Sequence, residues 1–508
     1  MRFLLILLFP ISLLAQPSKE SVPLVKTANG SLSGVYNSDK QISIYKGVSF
    51  AAPPIGELRW KEPLPLKSWK GTKECTSFPA SPMQNSPVPF MMWSQEFITP
   101  AKPLSEDCLY LNIWSSAKSE GRKQPVFVWI HGGAFLSGSG ACPIYDGEAL
   151  AKEGIVYVSI NYRLGIFGFL AHPELTAESK HHASGNYGLL DQVAALQWIK
   201  ANIAAFGGDP NNVTIAGQSA GSMSVQSLVA SPLAKDLFQR AIAQSGASFN
   251  RVSRKLDEGE KAGASLSQKS GDLKKLRTLS ADSVLRLGNT FPFGTFSPII
   301  DGYFLPQDMK TIFESKKHND VMLMAGWVMG DGNLMGAPMS QSDFIVFAEK
   351  TYGEKKDAFL KVFPAGSEEE AKQSQTKLGL MQFASLPDHQ WALYNTSKSY
   401  LYQFSYVPTD KPDFPNYGAF HTSEVPFALH TLKYWDRPWT NKDYRVEKYM
   451  SSYWINFIKT GNPNGKGLPE WNSYDATLQT TMEFGEQPVS KPGLLKAELQ
   501  FLSSTDQK

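Results

Sequence analysis

Short apolar runs alternate along this chain with stretches whose apolar positions return every three or four residues. PVFVWI (125–130) and IVYVSINY (155–162) have the length and the β-branched, aromatic character of buried strands. GLLDQVAALQWIKANIAAFGG (188–208) instead places Leu189, Leu190, Val193, Leu196, Ile199 and Ile203 at helical spacing, and Gly207 and Gly208 stop it. VTIAG (213–217) reads as a short strand, a tight turn follows, and a second helix is expected from Ala220 to about Val229. FQRAIAQSG (238–246), VMLMAGW (321–327) and YLYQFSYV (400–407) continue the strands. Strands alternating with helices predict an α/β fold with a mostly parallel twisted central sheet, and such sheets carry their chemistry at the carboxyl ends of the strands. The irregular stretch from about 252 to 319, rich in Lys, Ser and Leu, is expected to be helical elaboration over one side of that sheet.

The first residues break the pattern. MRFLLILLFPISLLAQPSKE has one early positive charge, an apolar core from Phe3 to Leu14, and Ala15 before polar residues. The run is too short to span a membrane and fits a cleavable secretory signal at residues 1–15, with a single domain at 16–508 secreted or delivered to the periplasm. With a net charge of +3 and scattered Lys and Arg, there is no basic stripe to suggest a nucleic-acid partner. Three cysteines, Cys75, Cys108 and Cys142, fit one disulfide and one free thiol in an exported protein, and three pairings are open.

The turn after VTIAG holds Gly217-Gln218-Ser219-Ala220-Gly221, a G-x-S-x-G sequence. With a strand before it and a helix after it, this arrangement lifts a serine Oγ out of the chain on a nucleophile elbow. A serine hydroxyl needs a base to take its proton, and the oxyanion it generates needs N–H donors already in place. Ala220 can supply one donor from the helix N-terminus, and the glycine loop HGGAF (131–135), after an earlier strand, the others. Of eight histidines, His181 and His182 lie in a polar loop without metal-ligand spacing, and His131 and His172 read as structural. The base is one of His421, His430 and His389, and order in the chain favours an acid between the serine and the histidine. No metal or cofactor is called for.

Several long blocks, in order, make the chain similar to the type-B carboxylesterase family, the cholinesterase-like branch of the α/β-hydrolases. YKGVSFAAPPIGELRW (45–60), SEDCLYLNIW (105–114), NYRLGIFGFL (161–170), GNYGLLDQ (185–192), FGGDPNNVTIAGQSAG (206–221), SPIIDGYFLP (297–306) and GNPN (461–464) carry the resemblance. It implies an α/β-hydrolase fold with loops around an active-site gorge and hydrolysis of a carboxylic ester through an acyl-enzyme. It implies Ser219 as nucleophile and His421, in a block of the form G-A-x-H-x-x-E, as the histidine. Gly133, Ala134 and Ala220 match the oxyanion donors, with Gly132 giving the loop its freedom, and Cys75 and Cys108 match the family disulfide.

The acid departs from the family. Where G-x-N-x-D-E-G is usual, this chain has Gly326-Trp327-Val328-Met329-Gly330-Asp331-Gly332, so Asp331 stands in the glutamate's place. An aspartate can hold the imidazole, because the acid only accepts the Nδ1–H bond and steadies the imidazolium. It is one methylene shorter, so its loop must come closer, which flanking glycines permit. Asp301 reads as a turn residue, and Glu424 is too near His421 in the chain to face it easily.

Gln218 stands where cholinesterases carry a glutamate, which points to apolar or aryl and alkyl esters over choline esters. Trp93, Phe291, Phe293, Trp327 and Met329 are candidate wall residues of an apolar pocket for such small-molecule substrates. Two other readings use the same residues: acyl transfer to an alcohol or amine, and an adhesion module with a decayed triad, which the intact Ser219, His421 and acid at 331 oppose.

Overall fold

A computed structural model describes residues 22–116, 121–247, 249, 254–336 and 338–505; the expected signal segment lies outside them. Eleven strands form one sheet among these residues. In chain order they are β1 (Val35–Tyr36), β2 (Ile42–Ser49), β3 (Tyr110–Ser116), β4 (Gln124–Ile130), β5 (Val156–Ile160), β6 (Gly208–Gln218), β7 (Arg240–Gln244), β8 (Met322–Val328), β9 (Ser399–Phe404), β10 (Thr481–Phe484) and β11 (Pro488–Lys491). Their order across the sheet is β11-β10-β9-β8-β7-β6-β4-β5-β3-β2-β1. From β5 to β10 every neighbouring pair is parallel, and only the two margins are antiparallel. This is the fold class expected from the alternation of strands and helices.

The central strands are apolar on both faces because both faces are covered. Val126, Val128 and Ile130 enter one core, while Phe127 and Trp129, pointing the opposite way, enter the other. All five are fully buried, and each contributes about 1.5–3 kcal/mol relative to exposure. Helix α1 (Tyr187–Asn202) is buried over much of its circumference, and a short turn continues it to Gly207, whose φ of 81° closes it as the Gly-Gly signal predicts. Helix α2 (Ala220–Ala230) follows β6 directly. The stretch after residue 254 is helical as expected, with helices Leu256–Ser270, Leu273–Thr278, Ala281–Gly288 and Met309–Glu314. Helix α3 (Glu368–Leu380) belongs to a satellite lobe with its own core of Phe344, Phe359, Phe363 and Leu378. A π-helical turn, Met381–Ser385, joins it to α4 (Leu386–Tyr394).

The expected Cys75–Cys108 bridge is corrected by the structure: all three cysteines are separate, buried thiols. The backbone of Cys75 is tied on both sides, its N–H to Ser33 and its carbonyl to Lys46, and its sulfur faces the Gly47 carbonyl at 3.9 Å. Cys108 instead lines a small cavity with Trp60, Met83 and Arg163. Burial pushes the Cys75 thiol up to about 11 and holds that of Cys108 well above its usual range, so each behaves as a small apolar side chain.

Candidate active site

The chain turns sharply where β6 meets α2. Ser219, at the turn, has φ 57° and ψ −122°, a conformation that costs a side-chain-bearing residue about 1–3 kcal/mol. Its surroundings hold it there: its N–H donates to the Gln244 carbonyl at 2.8 Å, and its own carbonyl accepts from Met223. The two glycines of the motif are steric requirements. A Cβ at 221 would lie 2.1 Å from the Ile130 carbonyl, and one at 217 would lie 2.5 Å from the backbone of Gly221. Ser219 is thereby the partly exposed residue in a buried run from Val213 to Val225, interrupted otherwise only at Met223.

The HGGAF loop leaves the end of the adjacent strand β4. His131 is buried, donates from Nδ1 to the Gly132 carbonyl, and stacks on Tyr162; burial depresses its pKa to about 4, so it is neutral and structural. Gly133, Ala134 and Phe135 all have positive φ, and Gly132 has no room for a side chain, its Cβ position lying 2.6 Å from the Gln218 carbonyl. The amide N–H groups of Gly133, Ala134 and Ala220 have no acceptor among the described residues, and Gly133 and Ala134 are exposed. Three unengaged donors therefore flank the serine.

Beyond β8 the chain turns through Met329–Met335, and Asp331 in that turn is fully buried. One carboxylate oxygen accepts from the Val328 N–H at 2.9 Å, the other from His421 Nδ1 at 2.6 Å. The glycines do what a short acid requires. Gly330 donates to the Ala419 carbonyl at 2.8 Å, and a Cβ there would sit 2.3 Å from that oxygen. A Cβ at 332 would sit 1.9 Å from the Thr376 carbonyl on α3. The acid turn is thus wedged between the His421 loop and the satellite lobe.

The His421 ring is enclosed by Phe383, edge-on at 5.3 Å, and Trp93, edge-on at 6.4 Å, and the Trp93 indole N–H donates to Thr422 Oγ1. The Gln218 amide nitrogen lies 3.0 Å from His421 Nε2 and 3.4 Å from Nδ1. Near-equal distances to both ring nitrogens put it over the ring face, since a group on the in-plane lone pair of Nε2 would lie much further from Nδ1. That lone pair is left open, while Asp331 fixes the proton on Nδ1. Ser219 Oγ has no hydrogen-bond partner among the described residues; in unliganded hydrolases the serine–histidine contact commonly tightens only with substrate.

The remaining candidates separate clearly. His389 bonds Tyr474, His430 lies 3.7 Å from Glu447, His172 caps a helix and bonds Ser267, and His181 stacks on Tyr303. Asp301 accepts from the Tyr303 and Leu305 N–H groups, as a turn residue should. Trp327 is a correction: it is fully buried and donates to Gln403, so it belongs to the core and not to a pocket wall. It packs there with Leu380, Phe383 and Ala384. Phe291 packs on Phe296, whereas Phe293 is 83% exposed and Met329 44%. Phe383 escaped the sequence reading because it sits in a π-helical turn, outside the 3.6-residue rhythm.

A strained serine between a strand and a helix, free amides beside it and a buried Asp–His pair define the serine-hydrolase class of α/β site. The chain belongs to the carboxylesterase family, whose profile matches residues 21–502. It is 32% identical over 488 residues to a fumonisin B1 esterase of Sphingopyxis macrogoltabida, covering 92% of this chain and 87% of that one. It is 35% identical over 513 residues to a liver carboxylesterase of Sus scrofa, covering 90% and 88%. Among solved structures, a PNB esterase superposes with a TM-score of 0.80 at 30% identity, covering 95% of this chain and 99% of that one. The Geobacillus stearothermophilus carboxylesterase Est55 gives 0.79 at 31%, covering 94% and 98%. The protein is a carboxylic ester hydrolase.

Proposed function

We propose that hydrolysis runs through a Ser219–His421–Asp331 triad by a ping-pong route. His421 Nε2 takes the Ser219 proton as Oγ attacks the ester carbonyl, and the amides of Gly133, Ala134 and Ala220 receive the oxyanion. His421 returns the proton to the departing alcohol, and water then cleaves the acyl-enzyme by the same steps. The observation that carries this reading is the 2.6 Å Asp331–His421 bond, which holds the imidazole in the tautomer with Nε2 open, beside the residue that precedes Ser219.

The substrate class is apolar or aryl and alkyl esters, in preference to choline esters. Trp93, Phe383 and the uncharged Gln218 surround the imidazole, and no carboxylate stands at position 218 to attract a quaternary ammonium. The N-terminal leader would deliver the enzyme outside the cytoplasm. Turnover of p-nitrophenyl esters of graded acyl length by the wild type and by Ser219→Ala tests the mechanism and the pocket together. The variant should fold and be inactive; unchanged turnover would refute the assignment.

A further inference from the structure

Two further buried carboxyls, Asp388 and Glu424, lie close enough to Asp331 to feel its charge. Asp388, in the first turn of α4, is fully buried, and neither of its oxygens has a partner among the described residues. Five residues before it, Phe383 lies against the His421 ring, so this segment packs directly on the site. Glu424 is also buried, with one oxygen accepting from Gln244 and the other unpartnered. The Tyr402 phenol, electrostatically coupled to Glu424, Asp388 and Asp331, has no partner either, nor have the hydroxyls of Ser245 and Ser423.

Unpartnered buried polar atoms are costly, and a group of them is the usual berth of ordered water. Asp331 gives that water a role. A carboxylate has about four acceptor sites, and His421 and Val328 fill one on each oxygen. We propose that Asp388 is a positioning residue: as an uncharged carboxyl it donates, through ordered water held by this cluster, to Asp331 and so keeps that carboxylate trained on His421. The inference rests on the triad reading above. Burial, with Asp331 close by, holds the Asp388 carboxyl well above the usual range, and it lifts Glu424 to about 8, so both favour the uncharged form near neutral pH.

The titratable groups coupled to Asp388 are Asp331 from the acid turn and Tyr402 from β9, a phenol that Glu424 of the His421 loop also reaches; His389 follows it on its own helix and is kept neutral by burial. The helix Met309–Glu314, packed on α4, carries Lys310 and the exposed Glu314, the latter bonded to the Tyr394 hydroxyl at the far end of α4.

The test compares Asp388→Ala and Asp388→Asn in the full-length enzyme, by pH profile, by melting temperature and by the downfield NMR signal of the Asp331–His421 proton. Asp388→Ala should lower kcat about five- to twenty-fold with KM little changed, move the acid limb of kcat/KM upward as Asp331 loses a donor, and leave Tm unchanged or higher. Asp388→Asn, which can still donate, should restore kcat to within about twofold and return the acid limb and the NMR signal to their wild-type positions. Full activity in Asp388→Ala with an unmoved pH profile overturns the assignment. Parallel loss of Tm and kcat at a fixed profile makes the residue mere filler and overturns it too. A downward acid limb in Asp388→Asn would mean that the native carboxyl is charged, also fatal. Ser219→Ala separates the two levels: if it is inactive, these failures fall on Asp388 alone, and if it is active, the triad and the inference fall together.

Discussion

Replacing Asp331 by asparagine removes a charge and almost no volume, and the geometry dictates which way the amide must face. The Val328 N–H, 2.9 Å from one carboxylate oxygen, requires an acceptor, so the amide oxygen takes that place. The amide NH₂ then points at His421 Nδ1, where the carboxylate now accepts at 2.6 Å. Two donors cannot face each other, so Nδ1 must surrender its proton and Nε2 must carry it. The imidazole is then in the tautomer that cannot accept from Ser219. The corresponding amide swap in a serine protease lowers kcat about 10⁴-fold, equivalent to about 5.4 kcal/mol of barrier at 1.36 kcal/mol per decade. The same loss is expected here. The assay is p-nitrophenyl acetate turnover near neutral pH, with circular dichroism and a thermal melt to show that the variant is folded. A folded Asp331→Asn enzyme within tenfold of wild-type kcat would mean that another group orients His421.

Gly330→Ala should cut kcat by at least tenfold, because its methyl would meet the Ala419 carbonyl at 2.3 Å and push the acid turn off the His421 loop; steady-state kinetics with a melting curve checks this. Gln218→Glu places a carboxylate against the imidazole, so the acid limb of the kcat/KM profile should shift to higher pH; an unmoved limb would show that the side chain lies elsewhere. Glu424 has a folded pKa raised to about 8 by burial, above its value of 4.5 when unfolded, so the folded state binds the extra proton between those values and stability falls as pH rises through that window. Glu424→Gln should remove up to about 1.4 kcal/mol per pH unit of that slope, readable from denaturation midpoints between pH 5 and 8.

The central sheet was legible because its strands are buried on both faces, so runs such as PVFVWI and VTIAG stand out without any partner being known. The elbow was legible because its glycines answer to sterics close by in sequence and in the adjoining strand. Asp331 could be singled out by its place between two glycines, but the reason for them, carbonyls at 419 and 376, belongs to distant segments. The buried group around Asp388 was invisible: an LPDHQ segment reads as an ordinary polar helix start, and only packing shows that the carboxyl has been taken out of water. The disulfide expectation came from resemblance, and resemblance carries no information on how the Cys75 backbone is tied to Ser33 and Lys46.

The wedge at the acid turn couples two choices that look independent. With Gly330 and Gly332 backed against carbonyls, the turn sits too close to His421 for one more methylene, so Asp331→Glu alone should retain only part of the activity. The family's glutamate is therefore not one mutation away. Reaching it needs a turn that has first been eased back from the Ala419 and Thr376 carbonyls, and easing the turn alone would strand the shorter aspartate. Each single step lowers activity while both together restore it, a case of sign epistasis that a double-mutant cycle at 331 and its turn would register as strong positive coupling.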